Sequence, residues 1–237
     1  MTAHSPASRT VRWGTLVNAR DLGGLPAGSG ATVPGRIFRA PRLDDLDDAG
    51  WAAVHASGVR TLVDLRNADE VAPTLRPATI GRRHTPIEDH AHPGFLETWG
   101  ELLDSPAYYP ANLELWPDRV AAAFAAVAHA PAGGVVVHCS AGRDRTGLMT
   151  ALLLQLVGTP VDVIVEDYLA SVDAMHAHAR SMPDWHERAR DDEAHAAHAA
   201  ESERHLRSFL AGTDTRRFLE ARGLGLEADA LSARLLD

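Results

Sequence analysis

A strand–loop–helix segment in the middle of the chain most restricts the folds that this sequence can adopt. Residues 133–139 read GGVVVHC, and the three consecutive valines predict a buried strand. Residues 145–158, RTGLMTALLLQLVG, are apolar on nearly all sides and stop at a glycine before Pro160, which predicts a buried central helix. A buried strand that leads through a short loop into a buried helix is typical of an α/β fold.

The flanking segments repeat this alternation of strand and helix. Further strands are predicted at the start of residues 10–24, where a short strand leads into a turn, and at residues 35–40, 59–64 and 82–89. Further helices are predicted at 43–58, 118–130, 160–172 and, as a pair, 214–237. We therefore expect residues 1–237 to form a single domain with a central, mostly parallel sheet flanked by helices. Residues 174–210, near the C-terminal third, are polar and rich in alanine and histidine. This weakly amphipathic stretch fits a helical element that leaves the body of the domain, and a helical lid, which the family resemblance described below supports, is one hypothesis for it.

The composition excludes some classes of function. A net charge of −9 argues against general affinity for nucleic acid or anionic membranes. No run approaches the roughly 18 apolar residues that a membrane span needs. The N-terminal residues lack the apolar core of a signal peptide, and a single cysteine suits a reducing compartment, so we expect a cytoplasmic protein.

The loop after the valine strand contains Cys139, the single cysteine of the chain, and has the features of an anion-binding site. Backbone N–H groups of such a loop and of the following helix start form a cradle for a dianionic phosphate. Gly142 lets the backbone approach closely, and Arg145 supplies a planar fork for two phosphate oxygens. The same positive surroundings favour the thiolate form of Cys139. The candidate phosphate-binding residues are Ser140, Ala141, Gly142, Arg143 and Thr146.

The segment HCSAGRDRTG is similar to the HC-x5-R-[ST] signature of cysteine-dependent tyrosine phosphatases. It more closely resembles the HCxxGKDRTG loop of the atypical bacterial tyrosine and phosphoinositide phosphatases, and NARDLGGLP, GRIFRA, TLVDLRNADEV and DVIVEDYLAS resemble other motifs of that family. The resemblance implies a cysteine-phosphatase-like fold, a phosphocysteine intermediate formed on Cys139, and no metal or other cofactor. It implies a phosphorylated protein or a phosphoinositide as the substrate.

The sequence departs from the family pattern at two places. Arg143 stands where many members have lysine, and Ala40-Pro41 replaces a small polar pair. Arginine and lysine grip phosphate differently, so substrate preference is expected to differ. Arg143 either serves a second phosphate or pairs with a carboxylate, and the sequence leaves both readings open.

The general acid that protonates the leaving oxygen has three candidates. Asp118 lies in a WPD triplet, but only 20 residues separate it from Cys139, and Pro117-Asp118 is typical of a helix start. Asp144 lies inside the loop beside Arg145, and the resemblance implies that it is essential. Asp89 follows a predicted strand and is expected to help, with the division of labour between Asp144 and Asp89 left open.

Several other polar residues are expected to support the site rather than contact the substrate. A salt-bridge network that pins the N-terminal strands is predicted for Arg20, Asp21 and Arg39, and a supporting role at a strand end is predicted for Asp64, Arg66 and His138. Six of the 13 histidines fall between positions 176 and 205. His195 and His198 stand at helical spacing with Glu201, but a solvated helix is favoured over a metal site.

Two other functions compete with phosphate ester hydrolysis. Sulfurtransferases also use a cysteine at a strand end, but their loops are one residue shorter, which would place Asp144 instead of Arg145 in the closing cationic position. A phosphate-recognising module without turnover would be indicated by loss of the nucleophile or of the arginine. Cys139 and Arg145 are both present.

Overall fold

The structure is a computed structural model that describes residues 5–71, 76–182 and 189–237. The strands in these described residues are β1 (Arg20–Asp21), β2 (Pro26–Ala27), β3 (Gly30–Ala31), β4 (Ile37–Ala40), β5 (Val59–Asp64), β6 (Gly81–His84) and β7 (Gly134–His138). Its α-helices in these residues are α1 (Asp48–Ala56), α2 (Phe95–Trp99), α3 (Tyr109–Leu115), α4 (Pro117–Ala128), α5 (Asp144–Leu156), α6 (Val161–Ser181), α7 (Asp192–Gly212), α8 (Thr215–Glu220) and α9 (Gly225–Leu236).

The central sheet has the strand order β1-β4-β7-β5-β6. Strands β4, β7, β5 and β6 are parallel, and only β1 at the edge is antiparallel. The predicted α/β class with a mostly parallel sheet is therefore confirmed. The carboxyl ends of the parallel strands share one edge, where ligands of open α/β sheets bind.

Helices cover both faces of this sheet because the side chains of its central strand alternate between two apolar cores. Val136 belongs to the core beneath α1, together with Trp13, Phe38 and Trp51. Val135 and Val137 belong to the larger core on the other face, which includes the apolar side chains of α4, α5, α6 and α9. Each fully buried aliphatic side chain of this kind contributes roughly 1.5–3 kcal/mol to folding.

Three predicted boundaries were wrong. The strand expected at residues 82–89 ends at His84, because Pro86 cannot donate to the sheet. The helix expected to end near residue 172 continues to Ser181, because its buried face runs on through Met175 and Ala179. A strand expected near residue 10 is reduced to an isolated bridge between Thr10 and Arg20.

The predicted helical lid falls on the end of α6 and on most of α7. It also includes residues 183–188, and these six residues lie outside the described residues. The first half of α7 is largely exposed, whereas its second half buries Ser202, Leu206, Phe209 and Leu210. Among the helices of the described ranges, none combines the length and the apolar character that a bilayer span requires.

Candidate active site

The loop between β7 and α5 places Cys139 at the floor of a cavity. Cys139 directly follows the last residue of β7 and is 3% exposed, and the cavity above it measures about 630 Å³. Gly142 has a φ of +70°, and a Cβ there would lie 2.5 Å from the backbone carbon of Ala40 and from the nitrogen of Pro41. Only glycine therefore fits this position of the loop without displacing β4 and the chain that follows it.

Side chains from the N-terminal strands hold the carbonyl groups of this loop. The Asn18 amide donates to the carbonyl of Ala141 at 3.0 Å, and Arg39 Nη2 donates to the carbonyl of Gly142 at 2.9 Å. The C=O and N–H of a trans peptide point in opposite directions. The N–H groups of Gly142 and Arg143 consequently point away from these two donors.

A buried charge cluster lies behind the same loop. Asp167 on α6 accepts from Arg9 Nη2 at 2.5 Å, from Arg39 Nη1 at 2.5 Å and from Arg20 Nε at 3.3 Å. Burial alone would raise the pKa of Asp167, but the charges of Arg20, Arg39 and Arg9 outweigh it and hold this pKa far below its usual range. Burial also lowers the pKa of Arg20 to about 10.

The network predicted for the N-terminal strands is present, with one change of member. Arg20 and Arg39 converge on Asp167, which the sequence reasoning did not single out. The carboxylate of Asp21 instead accepts from the backbone N–H groups of Gly23 and Gly35 and so closes the turn between β1 and β4.

Two carboxylates orient the guanidinium group of Arg145. Its Nη1 and Nη2 atoms donate to the two oxygens of Glu70, the second at 2.6 Å, and its Nε lies 3.2 Å from Oε1 of Glu88. Glu70 is itself fixed by the backbone N–H of Asn67 at 2.8 Å. Burial tends to raise the pKa of Glu70, but the bond to Arg145 outweighs it and lowers that pKa.

Asp144 begins α5, and its side chain is held on both oxygens. Oδ1 accepts from the hydroxyl of Tyr168 at 2.8 Å, and Oδ2 accepts from Arg143 Nε at 2.9 Å. The backbone carbonyl of Asp144 accepts from the hydroxyl of Tyr109 at 2.8 Å. This residue, Arg143 and Arg145 all line the cavity above Cys139.

The remaining predicted phosphate-binding residues surround Cys139. Ser140 and Ala141 line the cavity, and the carbonyl of Ser140 accepts from the backbone N–H of Arg42 at 2.9 Å. Thr146 is fully buried in the first turn of α5, and its hydroxyl has no hydrogen-bond partner in the described part of the chain. That hydroxyl is therefore available to a group bound in the loop.

Asp89 does not line this cavity, whereas the preceding residue does. The Asp89 carboxylate is 37% exposed and accepts from Arg119 Nη2 at 2.8 Å and from the backbone N–H of Ala91 at 3.0 Å. The hydrogen bond from the backbone N–H of Ala91 lowers the pKa of Asp89. Its carboxyl group is therefore less often protonated and less suited to act as a general acid. Glu88, 2% exposed, points to Arg145 and to His90 Nε2, 2.8 Å away.

Sequence reasoning missed Glu70 and Glu88. Glu70 lies in the NADEV stretch and Glu88 directly before Asp89, so both followed predicted strands. The signal was their position after the carboxyl ends of β5 and β6, which meet at the edge that carries Cys139.

Asp118 occupies the first turn of α4, as expected for a helix start. Pro117 is the first residue of this helix, and the Asp118 side chain is 96% exposed. Asp118 is not among the residues that line the cavity.

The second predicted support network lies beneath the loop. Arg66 donates to Asp64 at 2.8 Å and pairs with Asp44, and Arg82 donates to Asp64 at 2.8 Å. Burial lowers the pKa of His138, which favours the neutral ring. Its Nδ1 lies 3.3 Å from the carbonyl of Cys139.

The histidine-rich segment contains paired rings but no metal cluster within the described ranges. His176 on α6 and His195 on α7 stack with ring centroids 3.9 Å apart. His195 Nε2 lies 2.9 Å from Asp173, and His198 Nε2 lies 3.9 Å from Asp104. In residues 5–71, 76–182 and 189–237, no three histidine, cysteine, aspartate or glutamate side chains are arranged to hold a metal ion.

Comparison with known proteins places this arrangement in a family context. Residues 11–233 match the sequence pattern described as the tyrosine phosphatase family. Over 176 residues the chain is 35% identical to the triple specificity protein phosphatase PtpB of Mycobacterium tuberculosis, covering 61% of this chain and 64% of that protein. Over 159 residues it is 32% identical to a tyrosine-protein phosphatase of Nostoc commune, covering 62% of this chain and 52% of that protein. The chain thus spans less than two thirds of the length of either relative.

Proposed function

This chain belongs to the tyrosine phosphatase family, and we propose that it is a cysteine-dependent phosphomonoester hydrolase that acts chiefly on phosphotyrosine in proteins. The observation that carries the proposal is the position of Cys139 at the floor of a cavity, under a loop whose N–H groups point away from the donors that hold its carbonyl groups. Cys139 is 3% exposed, and the proposed substrate therefore carries its phosphate on an extended side chain such as that of phosphotyrosine.

In the first chemical step, the Cys139 thiolate attacks phosphorus and an S–P bond forms while the bond from phosphorus to the leaving oxygen breaks. Developing charge on the three non-bridging oxygens is stabilised by the loop N–H groups and by Arg145. A guanidinium group carries five N–H donors. Glu70 accepts from one N–H of each terminal nitrogen of Arg145, and Glu88 lies within ion-pair distance of its Nε. The second N–H of each terminal nitrogen stays available to phosphate oxygens.

We assign protonation of the leaving oxygen to Asp144. Its carboxyl group lies on the cavity wall, whereas Asp89 faces Arg119 outside the cavity. Water then attacks the phosphocysteine while the Asp144 carboxylate, deprotonated in the first step, takes a proton from it. The S–P bond breaks, phosphate and the thiolate are released, and Asp144 is again protonated. The buried hydroxyl of Thr146 is available to stabilise that thiolate as it leaves.

We further propose that residues 1–237 act as one phosphatase domain with residues 174–210 as a lid in the cytoplasm, where the single thiol stays reduced. Ala189 and Arg190, just outside α7, lie on the cavity wall, which supports a contact between this segment and the substrate. The name of the Mycobacterium tuberculosis relative, triple specificity, supports testing phosphoserine, phosphothreonine and phosphoinositide substrates beside phosphotyrosine.

The test is phosphate release, in the presence of a chelator, from a phosphotyrosine peptide and from a phosphoinositide. Wild type is compared with Cys139→Ser, Asp144→Asn and Asp89→Asn. We expect chelator-resistant release that Cys139→Ser abolishes, a loss of at least 100-fold in kcat for Asp144→Asn, and a change below threefold for Asp89→Asn. No release by folded wild type from any phosphoester would favour a phosphate-recognising module instead, and a larger loss for Asp89→Asn would reassign the acid.

A further inference from the structure

The wall of the cavity above Cys139 carries more carboxylates than cations. Among the described residues that line it, five are acidic and three are arginines, with one histidine. The acidic residues are Glu70, Glu88, Glu101, Asp104 and Asp144, and the basic ones are Arg143, Arg145, Arg190 and His90. A wall of this composition attracts cations beside a bound phosphate and repels further anions.

Each basic residue of the wall is already paired with one of these carboxylates. Arg145 contacts Glu70 and Glu88, and His90 contacts Glu88. Arg143 Nε donates to Asp144 at 2.9 Å, and Arg190 Nη2 donates to Asp104 at 2.6 Å. A second phosphate on the substrate would have to break one of these pairs to gain a cation, and it would leave the released carboxylate beside it.

Two of the carboxylates retain unused acceptor capacity. Oε2 of Glu88 has no hydrogen-bond partner within the described ranges, although only 2% of this side chain is exposed. Glu101 lies in the single turn Gly100–Leu102 at the rim, is exposed, and forms no ion pair with any described residue. The cavity wall therefore presents, at Glu101, an exposed negative charge that no described cation neutralises.

From these observations we infer that the preferred substrate is a phosphotyrosine segment of a protein with an arginine or lysine next to the phosphotyrosine, read by Glu101. Polyphosphorylated inositol lipids are correspondingly poor substrates. This inference rests on the proposed phosphatase function and names the substrate class of the same cavity. With about 6 Å between the two charges and an effective dielectric constant of about 40 to 80, one such pair changes kcat/KM roughly three- to tenfold.

Three peptides that differ only in the residues flanking phosphotyrosine (arginine, alanine or glutamate) test the inference. Their kcat/KM values are measured with wild type, Glu101→Gln and Glu101→Lys at low and high salt. With wild type we expect kcat/KM to be highest for the arginine peptide, intermediate for the alanine peptide and lowest for the glutamate peptide. Each difference should be roughly three- to tenfold and should become smaller at high salt. Glu101→Gln should reduce the differences in kcat/KM between the peptides, and Glu101→Lys should reverse their order. Glu97→Gln, an exposed neighbour on α2 outside the cavity wall, is the matched control and should keep it.

Two results would overturn the inference while leaving the proposed function intact. One is equal or faster turnover of the glutamate peptide by wild type, and the other is a higher kcat/KM for a water-soluble inositol bisphosphate lipid than for the arginine peptide. Failure of wild type to release phosphate from the alanine peptide would instead refute the proposed phosphatase function itself. The alanine peptide therefore separates the two failures.

Discussion

Replacement of Asp167 by asparagine should strongly destabilise this protein. Asp167 is 2% exposed and meets Arg9, Arg20 and Arg39 at 2.5, 3.3 and 2.5 Å. Asparagine has nearly the same size, so no cavity forms and only the negative charge is lost. Three buried guanidinium groups then face one another across a neutral amide.

Breaking a buried ion pair by removing one partner costs about 3–5 kcal/mol, because the other charge stays buried without compensation. In a chain of this size, each kcal/mol shifts Tm by about 2–4 °C, so Tm should fall by about 6–20 °C. The low pKa of folded Asp167 means that its contribution is complete above the unfolded value of about 3.9 and is lost only in strong acid. The difference between variant and wild type should therefore be constant from pH 5 to pH 8.

Urea unfolding followed by circular dichroism measures this difference directly. The control is Asp162→Asn, which removes an 83% exposed carboxylate from its pair with Arg207 and should change the unfolding free energy by less than about 1 kcal/mol. Because Arg39 also donates to the carbonyl of Gly142, folded Asp167→Asn protein should release phosphate more slowly. An unfolding free energy within 1 kcal/mol of wild type would refute the argument that the three buried arginines require the negative charge of Asp167.

Three further outcomes follow from the same contacts. Gly142→Ala should cost about 1–2 kcal/mol in backbone strain alone and reduce kcat more than tenfold, measured by thermal melting and by peptide turnover. Asn18→Gly keeps the backbone conformation at φ +63° but frees the carbonyl of Ala141 and removes the oxygen that accepts from Arg20 Nη1, so it should lower kcat about tenfold with about 2–4 kcal/mol lost in unfolding free energy. The hydrogen bond that His90 donates to the Glu88 carboxylate raises the pKa of His90, so this pair stabilises the fold below about pH 6.5 and its contribution is lost as pH rises through the raised value. Glu88→Gln should lower that pKa in an NMR titration, and an unchanged titration curve would refute the pairing.

The segment from β7 to α5 was predictable because its signals are local. Three valines, a short polar loop and an all-round apolar helix each have one structural reading, and together they give strand, turn and buried helix. The end of α6 was misjudged because composition changes at residue 174 while the buried face of the helix does not. Met175 and Ala179 keep the spacing of Ser171 and Val172, so nothing in the chain stops the helix there.

The environment of Arg145 was not predictable to the same degree. Glu70 and Glu88 reach it from loops after β5 and β6, and their contact depends on the parallel register of strands that are far apart in sequence. Glu88 and Asp89 are consecutive, so the backbone conformation after β6 decides which of the two side chains faces the cavity. A pattern of apolar residues does not fix that conformation, because the chain is irregular from Thr85 to the start of α2.

The hydrogen bonds that hold the carbonyl groups of the proposed phosphate loop depend on the register between β4 and β7. Arg39 pairs with Val137 across that register, which brings its guanidinium group under the carbonyl of Gly142, while Asn18 reaches the carbonyl of Ala141 from before β1. If these donors were absent, the loop carbonyls would have no partner behind them and the peptides would be free to turn their oxygens toward the phosphate. A cysteine and an arginine at the right spacing thus supply the reactive groups, but the direction of the N–H groups depends on residues more than 100 positions earlier in the chain.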